Sequence, residues 1–197
     1  MTTDEFFSLV QPRRGHFLYE SGYHSDLWFD LETLCRRPAM LQPYVIELAS
    51  KVADFQPQVI CGPLVEGSFI ALMVSSELRC EFTYTIRIAR SPDRLFLVEY
   101  RLPRVLTDVV YGKRVVIVND VISAGSAVRG TFESLKVACA DVAGFASLVV
   151  LGDSFPGFAA QHNIPLETNI RLPRNNLWEP ENCPLCAARI SLEKPGD

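Results

Sequence analysis

Long apolar runs are missing from this chain. Nowhere do its hydrophobic residues approach the roughly 18 in succession that a membrane-spanning helix requires. A surplus of positive charge is missing as well: 19 lysines and arginines stand against 23 aspartates and glutamates, a formal net charge of −4. Nucleic acids and anionic membrane surfaces both call for a basic face, so neither is expected as a partner. The first residues, Met1-Thr2-Thr3-Asp4-Glu5, lack the basic start and apolar stretch of a signal peptide, and a cytoplasmic protein is expected. There are no internal repeats and no low-complexity tracts, which excludes solenoid and disordered readings.

Metal-ligand spacings are also scarce. His16, His24 and His162 are separated in sequence, and His24 reads as a hydrogen-bonded structural residue. Of six cysteines, Cys35, Cys61, Cys80 and Cys139 are scattered among apolar neighbours, as small buried hydrophobes are. Cys183-Pro184-Leu185-Cys186 has the inner spacing of a zinc knuckle, but one such pair supplies half a tetrahedral site. No His or Cys close by in sequence completes it. Packing thiols are the leading expectation, with structural zinc and a redox or intersubunit role as alternatives, and no metal-ligating residue is assigned.

What is present is an ordinary globular composition, 48% hydrophobic and 21% charged over 197 residues. A chain of this size buries about 70% of its unfolded surface and needs no disulfide or metal to fold. Thr3 to Val10 reads as a helix stopped by Pro12. Residues 15–30 read as two strands about a turn at Ser21-Gly22. Pro38 to Val52 follows as an amphipathic helix with Met40, Val45, Leu48, Ala49 and Val52 on one face. Strands are expected at Val59–Cys61, Phe82–Ile88, Leu95–Tyr100, Val115–Val118 and Ala146–Leu151, with helices at Phe69–Leu78 and Ser126–Ala138. This alternation predicts an α/β fold with a parallel sheet covered on both faces, binding ligands at the carboxyl ends of its strands. The proline-rich stretch from Gln161 onward is expected to pack as short elements with the first 40 residues.

The most informative segment is Val115-Val116-Ile117-Val118-Asn119-Asp120-Val121-Ile122-Ser123-Ala124-Gly125-Ser126-Ala127. A buried strand ends in a polar pair, passes through small residues and opens a helix. Small residues let backbone N–H groups converge on an anion, and the helix N-terminus adds favourable potential. Ser123 and Ser126 add hydroxyl donors, while Asp120 can accept hydrogen bonds from ribose hydroxyls. The spacing matches a ribose 5-phosphate. A side chain at Gly125 is expected to fill the phosphate space without disturbing the fold.

This segment resembles the phosphoribosyl pyrophosphate signature of type I phosphoribosyltransferases, and its Val-Ile-Ser-Ala-Gly-Ser-Ala wording is closest to the orotate branch. Gly15 to Asp26 is similar to that branch's N-terminal Phe-x-Leu-x-Ser-Gly segment, and the tail from Trp178 to Gly196 resembles the tail of some members. Gly62-Pro63 through Glu66-Gly67-Ser68 looks like the family's pyrophosphate loop. The resemblance implies a five-stranded parallel sheet flanked by helices, with a core of about residues 41–160 and a small hood from about 1–40 and 161–197. It implies transfer of ribose 5-phosphate from phosphoribosyl pyrophosphate to a pyrimidine base, orotate above all, with Mg2+ carried on the phosphoribosyl pyrophosphate. Trp28 and Phe29 match the aromatic pair that sandwiches the base. Arg87 and Arg90 hold the spacing of two loop lysines, and with Asp120 they are the candidate catalytic residues. Asn119 stands where the family has an acid, Glu20 where it has a lysine, and Gly152-Asp153 where an arginine is expected. These differences leave open a homologue that binds or senses a nucleotide without turnover. The resemblance also implies a homodimer whose mobile loop reaches the neighbouring site. Arg87, Arg90, Arg94, Arg101 and Arg104 supply cations for it in an otherwise acidic chain.

Overall fold

A computed structural model describes residues 3–10, 12–29, 35–89, 98–172 and 177–195. The chain starts with helix α1 (Thr3–Val10) and an antiparallel hairpin of β1 (Arg13–Leu18) and β2 (His24–Trp28). Next come α2 (Pro38–Ala53), β3 (Val59–Pro63), α3 (Glu66–Leu78), β4 (Glu81–Ala89) and β5 (Val98–Arg101). The short helix α4 (Thr107–Val110), β6 (Arg114–Ile122), α5 (Ser126–Val137), β7 (Asp141–Leu151), α6 (Ser154–Gln161) and β8 (Leu166–Leu172) complete the central part. The tail adds β9 (Leu177–Trp178) and a one-turn helix α7 (Pro184–Ala187).

The main sheet has the strand order β5-β4-β3-β6-β7-β8. Five strands run parallel, and β5 adds an antiparallel edge against β4. Its centre is buried because β3 and β6 are apolar on both faces. Ile60, Val116 and Val118 pack into one core with α1, α2 and α3. Their neighbours Val59, Cys61, Val115 and Ile117 pack into the other, with α5 and α6. That two-residue alternation is the pleat of a strand covered on both sides.

Several boundaries differ from those the sequence suggests. α3 begins at Glu66 rather than Phe69, so the pyrophosphate-like segment is itself the start of a helix. Met40 points outward at 39% exposure, and Leu41 and Tyr44 fill the inner face of α2 instead. β6 extends past its apolar run to Ile122, which puts Asn119 and Asp120 inside the strand. Residues 95–97 of the strand expected at Leu95–Tyr100 lie outside the described residues. Leu166–Leu172 joins the main sheet beside β7, whereas the prolines beyond Gln161 had grouped it with the terminal segments. The small second sheet, β1-β2-β9, is built from both ends of the chain.

Candidate active site

The sheet order reverses direction between β3 and β6: β4 lies beyond one, β7 and β8 beyond the other. At such a switch point the two following loops diverge and leave a crevice at the carboxyl ends of the strands. A cavity of about 680 Å³ lies there, lined by Pro63 to Gly67 after β3, Asn119 to Val121 and Ser123 to Val128 around the end of β6, and hood residues on the facing side.

The loop after β6 has the geometry of an anion cradle. Gly125 sits at φ +80°, which turns the chain into α5 and leaves the first N–H groups of that helix directed outward. A Cβ at Gly125 would lie 2.2 Å from the ring of Phe155. A side chain there enters the core rather than the phosphate space, contrary to the sequence expectation. Arg129, one turn into α5, holds the loop from behind. Its Nε donates to the Ala124 carbonyl at 3.0 Å, its Nη2 donates to the Ser154 carbonyl at 3.2 Å, and its guanidinium stacks 4.2 Å from the centre of the Phe158 ring.

Asp120 lies at the cavity floor, largely enclosed by protein. Burial pushes its carboxyl up to about 7, and the neighbouring Glu66 carboxylate adds to the rise. Hydrogen bonds from the backbone N–H groups of Val121 and of Asp120 itself oppose it. Asn119 behaves differently from its neighbour. Its Nδ2 donates to the Val121 carbonyl at 2.8 Å, and its Oδ1 packs so closely on Gly67 that a Cβ there would sit 2.0 Å away. Asn119 therefore bonds within its own strand, packs against the loop after β3 and lines the cavity.

In the loop after β3, Pro63, Glu66 and Gly67 line the cavity, while Gly62 and Ser68 do not. A Cβ on Gly62 would meet Ala71 and the Gly67 carbonyl at 2.6 and 2.7 Å, so this glycine permits α3 to pack on β3. Ser68 donates to the Val65 carbonyl at 2.7 Å and is buried. Both shape the loop, where the sequence suggested substrate contact. The Leu64–Val65 peptide is cis, and the Leu64 N–H donates to the Thr85 carbonyl at 2.9 Å.

On the hood side, Trp28 and Phe29 both line the cavity, as the base-stacking expectation requires. Phe29 is almost wholly buried and stacks on Phe7 at 5.9 Å, whereas Trp28 meets Tyr19 edge-on at 5.6 Å and keeps part of its surface open. Arg87 stands 3.9 Å from the Glu20 carboxylate, which also accepts the Tyr100 hydroxyl at 3.1 Å. Glu20 and Tyr100 line the cavity, but Arg87 does not; it meets an anion of its own chain instead. Arg90 lies outside the described residues.

Sequence reasoning missed Arg13, Tyr19, Tyr100, Glu193 and Lys194, which also line the cavity. Arg13 pairs with Glu193 at 2.6 Å and lies 5.4 Å from the centre of the Phe17 ring. These residues come from strands and a tail whose juxtaposition no local motif encodes. The Lys194-Pro195 tail was noticed only as a likeness to other tails.

Comparison with known proteins agrees with this geometry. The model of the phosphoribosyl transferase domain matches residues 40–154, from α2 through the cradle to the start of α6. An orotate phosphoribosyltransferase of Caldanaerobacter subterraneus subsp. tengcongensis is 28% identical over 191 residues, covering 97% of this chain and 93% of that protein. Another, from Caldicellulosiruptor bescii, is 29% identical over 182 residues, covering 92% and 88%. Among solved structures, the orotate phosphoribosyltransferase of Aeropyrum pernix superposes with a TM-score of 0.66 at 20% identity, over 87% of this chain and 94% of that one. An adenine phosphoribosyltransferase from Thermoanaerobacter pseudethanolicus reaches 0.67 at 14% identity, over 87% and 100%. The fold alone is therefore shared by enzymes of different bases. With more than half its length matched by the family model, this chain belongs to the phosphoribosyl transferase domain family.

Proposed function

We propose that the protein transfers ribose 5-phosphate from phosphoribosyl pyrophosphate to orotate, releasing pyrophosphate. The observation that carries this reading is the cavity itself, with an anion cradle on the sheet side and aromatic and cationic side chains on the hood side. The cradle formed by Ser123, Ala124, Gly125, Ser126 and Ala127 receives the 5-phosphate, and Asp120 accepts from a ribose hydroxyl. The loop from Pro63 to Gly67 faces the pyrophosphate. Trp28 and Phe29 border the base, and Arg13 and Lys194 are the basic residues lining the cavity among the described residues. Orotate is a carboxylate; Lys194 offers it a cation, whereas Arg13 is paired with Glu193.

Mg2+ would come with phosphoribosyl pyrophosphate. Glu66 and Asp120 bring two carboxyl groups to one cavity, close enough for Glu66 to raise Asp120. A divalent cation relieves that repulsion, so the donor set fits. Glu66 and Asp120 would help hold the ion, which would offset the charge building on the leaving pyrophosphate. Arg87 and Arg90 are assigned to the same leaving group. A homodimer in the cytoplasm completes the proposal.

A second reading has one observation behind it: Arg87 is already engaged by Glu20. On that reading the protein binds a nucleotide without turnover. Pyrophosphate release from phosphoribosyl pyrophosphate and Mg2+, measured with orotate, uracil and adenine in turn, separates the two. Release dependent on orotate is expected. Binding of orotidine monophosphate with no release for any base would favour the second reading, and release with adenine alone would overturn the orotate assignment.

A further inference from the structure

Outside the cavity, His16, His24, Cys183 and Cys186 converge, with one ligand atom of each lying within 4.8 Å of all the others. The first two come from β1 and β2, the other two from the start of α7, more than 150 residues later. This corrects the expectation that nothing completes the Cys183–Cys186 pair. The missing half-site is in the N-terminal hairpin, where sequence spacing does not reveal it.

We propose that these four residues bind a structural zinc ion that clips the C-terminal segment to the first hairpin. The geometry supports it. His16 Nε2 lies 3.0 Å from His24 Nδ1 and 3.4 Å from Cys183 Sγ, and Cys186 Sγ is 3.7 Å from His16 Nε2 and 3.3 Å from His24 Nδ1. Zinc bonds of about 2.0–2.1 Å to nitrogen and 2.3 Å to sulfur give a tetrahedron with edges of about 3.3–3.8 Å. The observed separations fall in or just below that range.

The surroundings orient a ligand as well. The Ile190 carbonyl lies 2.8 Å from His16 Nδ1 and accepts a hydrogen bond from its N–H, which leaves the Nε2 lone pair facing the cluster. A backbone carbonyl in this role is the usual partner of a zinc-bound imidazole. His16, His24 and Cys183 are buried, while Cys186 is exposed and gives an ion a way in. Two thiolates and two imidazoles form a closed set that selects zinc and leaves no position for a reacting water. Without an ion, one imidazole N–H and two weak thiol donors would have to satisfy the same four atoms.

The clip has a consequence for the cavity. The Glu193 N–H donates to the His16 carbonyl at 2.7 Å, and the Leu18 N–H donates to the Glu193 carbonyl at 2.9 Å. Glu193, Lys194 and Pro195 then form part of the cavity wall. An ion at His16 therefore fixes the strand-like tail that presents Lys194.

The test uses full-length protein made in zinc-supplemented medium and purified without chelator. One zinc per chain by elemental analysis is expected. After exchange, cobalt should give the intense visible bands and the thiolate charge-transfer band of a tetrahedral two-sulfur, two-nitrogen site. Chelator should lower the melting temperature of the native chain by several degrees and leave that of Cys186→Ser unchanged. His24→Asn, which can retain a hydrogen bond to His16, should also lose the metal. Protein containing less than a tenth of an equivalent of zinc, a Cys183–Cys186 disulfide, or an octahedral cobalt spectrum would overturn the assignment. The metal and spectral readings need no variant and no catalytic activity, so they stand apart from the orotate reading.

Discussion

Asp120 illustrates how burial in a cavity sets the titration of a single residue. Its carboxyl rises from 3.8 to about 7 in the folded protein. A raised carboxyl favours folding below its unfolded value, and that contribution is lost as pH rises through about 7, because charging it inside the cavity is unfavourable. A shift of about three units corresponds to on the order of 4 kcal/mol. Asp120→Asn should therefore raise the melting temperature by several degrees at pH 8, and the gain should vanish by pH 4. Melts of both proteins at the two values check this, and an equal difference at both would remove the titration argument. The same replacement should weaken phosphoribosyl pyrophosphate binding at pH 8 by roughly 10–100-fold, through loss of a charge-assisted hydrogen bond of about 1.5–3 kcal/mol. Gly125 carries the opposite lesson. Its positive φ and the ring of Phe155 at 2.2 Å from an added Cβ make Gly125→Val a folding defect. It should cost about 3 kcal/mol or more in a denaturant titration. Ala124→Asp is the cleaner probe of the cradle, since it puts an anion beside the phosphate position. It should abolish ribose 5-phosphate binding by calorimetry while the melting temperature changes little.

At the scale of elements, β3, β4, β6 and β7 with α2, α3 and α5 were legible because each carries its own periodic or continuous apolar pattern, whereas α6 and β8, amid the prolines, were not. Val115–Val118 announced a buried strand, and the small residues after it announced the turn into α5. What remained hidden was the contact between elements. Asn119 reads in sequence as a second polar residue for the substrate; it lines the cavity, and it also bonds to the Val121 carbonyl of its own strand and packs against Gly67. Arg129 belongs to no motif, yet it grips the Ala124 carbonyl and the Phe158 ring across two elements. The grip should matter more for the cradle than for the fold. Arg129→Met keeps much of the apolar stem and removes both backbone hydrogen bonds, each worth about 1.5–3 kcal/mol when the donor is charged. Amides 123–128 should exchange faster by hydrogen–deuterium exchange, and affinity for ribose 5-phosphate should fall about tenfold or more. Unchanged exchange in that segment would mean the cradle is held by the helix alone.

For the whole molecule, the hood shows the limit of reading a chain in order. Residues 13–28 and 177–195 line one cavity and form one four-ligand cluster; their packing together was expected, but not which side chains would meet. Pairing of two molecules is likewise invisible in the periodicity, but the folded surface supplies an argument for it. Val65, just before α3, and Phe69 and Leu72 on it stand at helical spacing, at 53, 44 and 50% exposure. They begin beside the loop from Pro63 to Gly67, so a second copy seated on them stands next to the cavity. A partner there matches the homodimer that the family resemblance implies and removes apolar surface from water at about 25 cal/mol per Å². The native protein should therefore run as a dimer in light scattering at micromolar concentration. The Phe69→Glu, Leu72→Glu double variant, which touches no buried core position, should run as a folded monomer. If the segment containing Arg90 serves the neighbouring cavity, mixing Arg90→Ala chains with Asp120→Ala chains should restore up to about a quarter of the native activity, the share of sites free of both substitutions under random pairing at equal mixing. A native monomer would sink the pairing, and a dimer whose mixture recovers nothing would leave each cavity to its own chain.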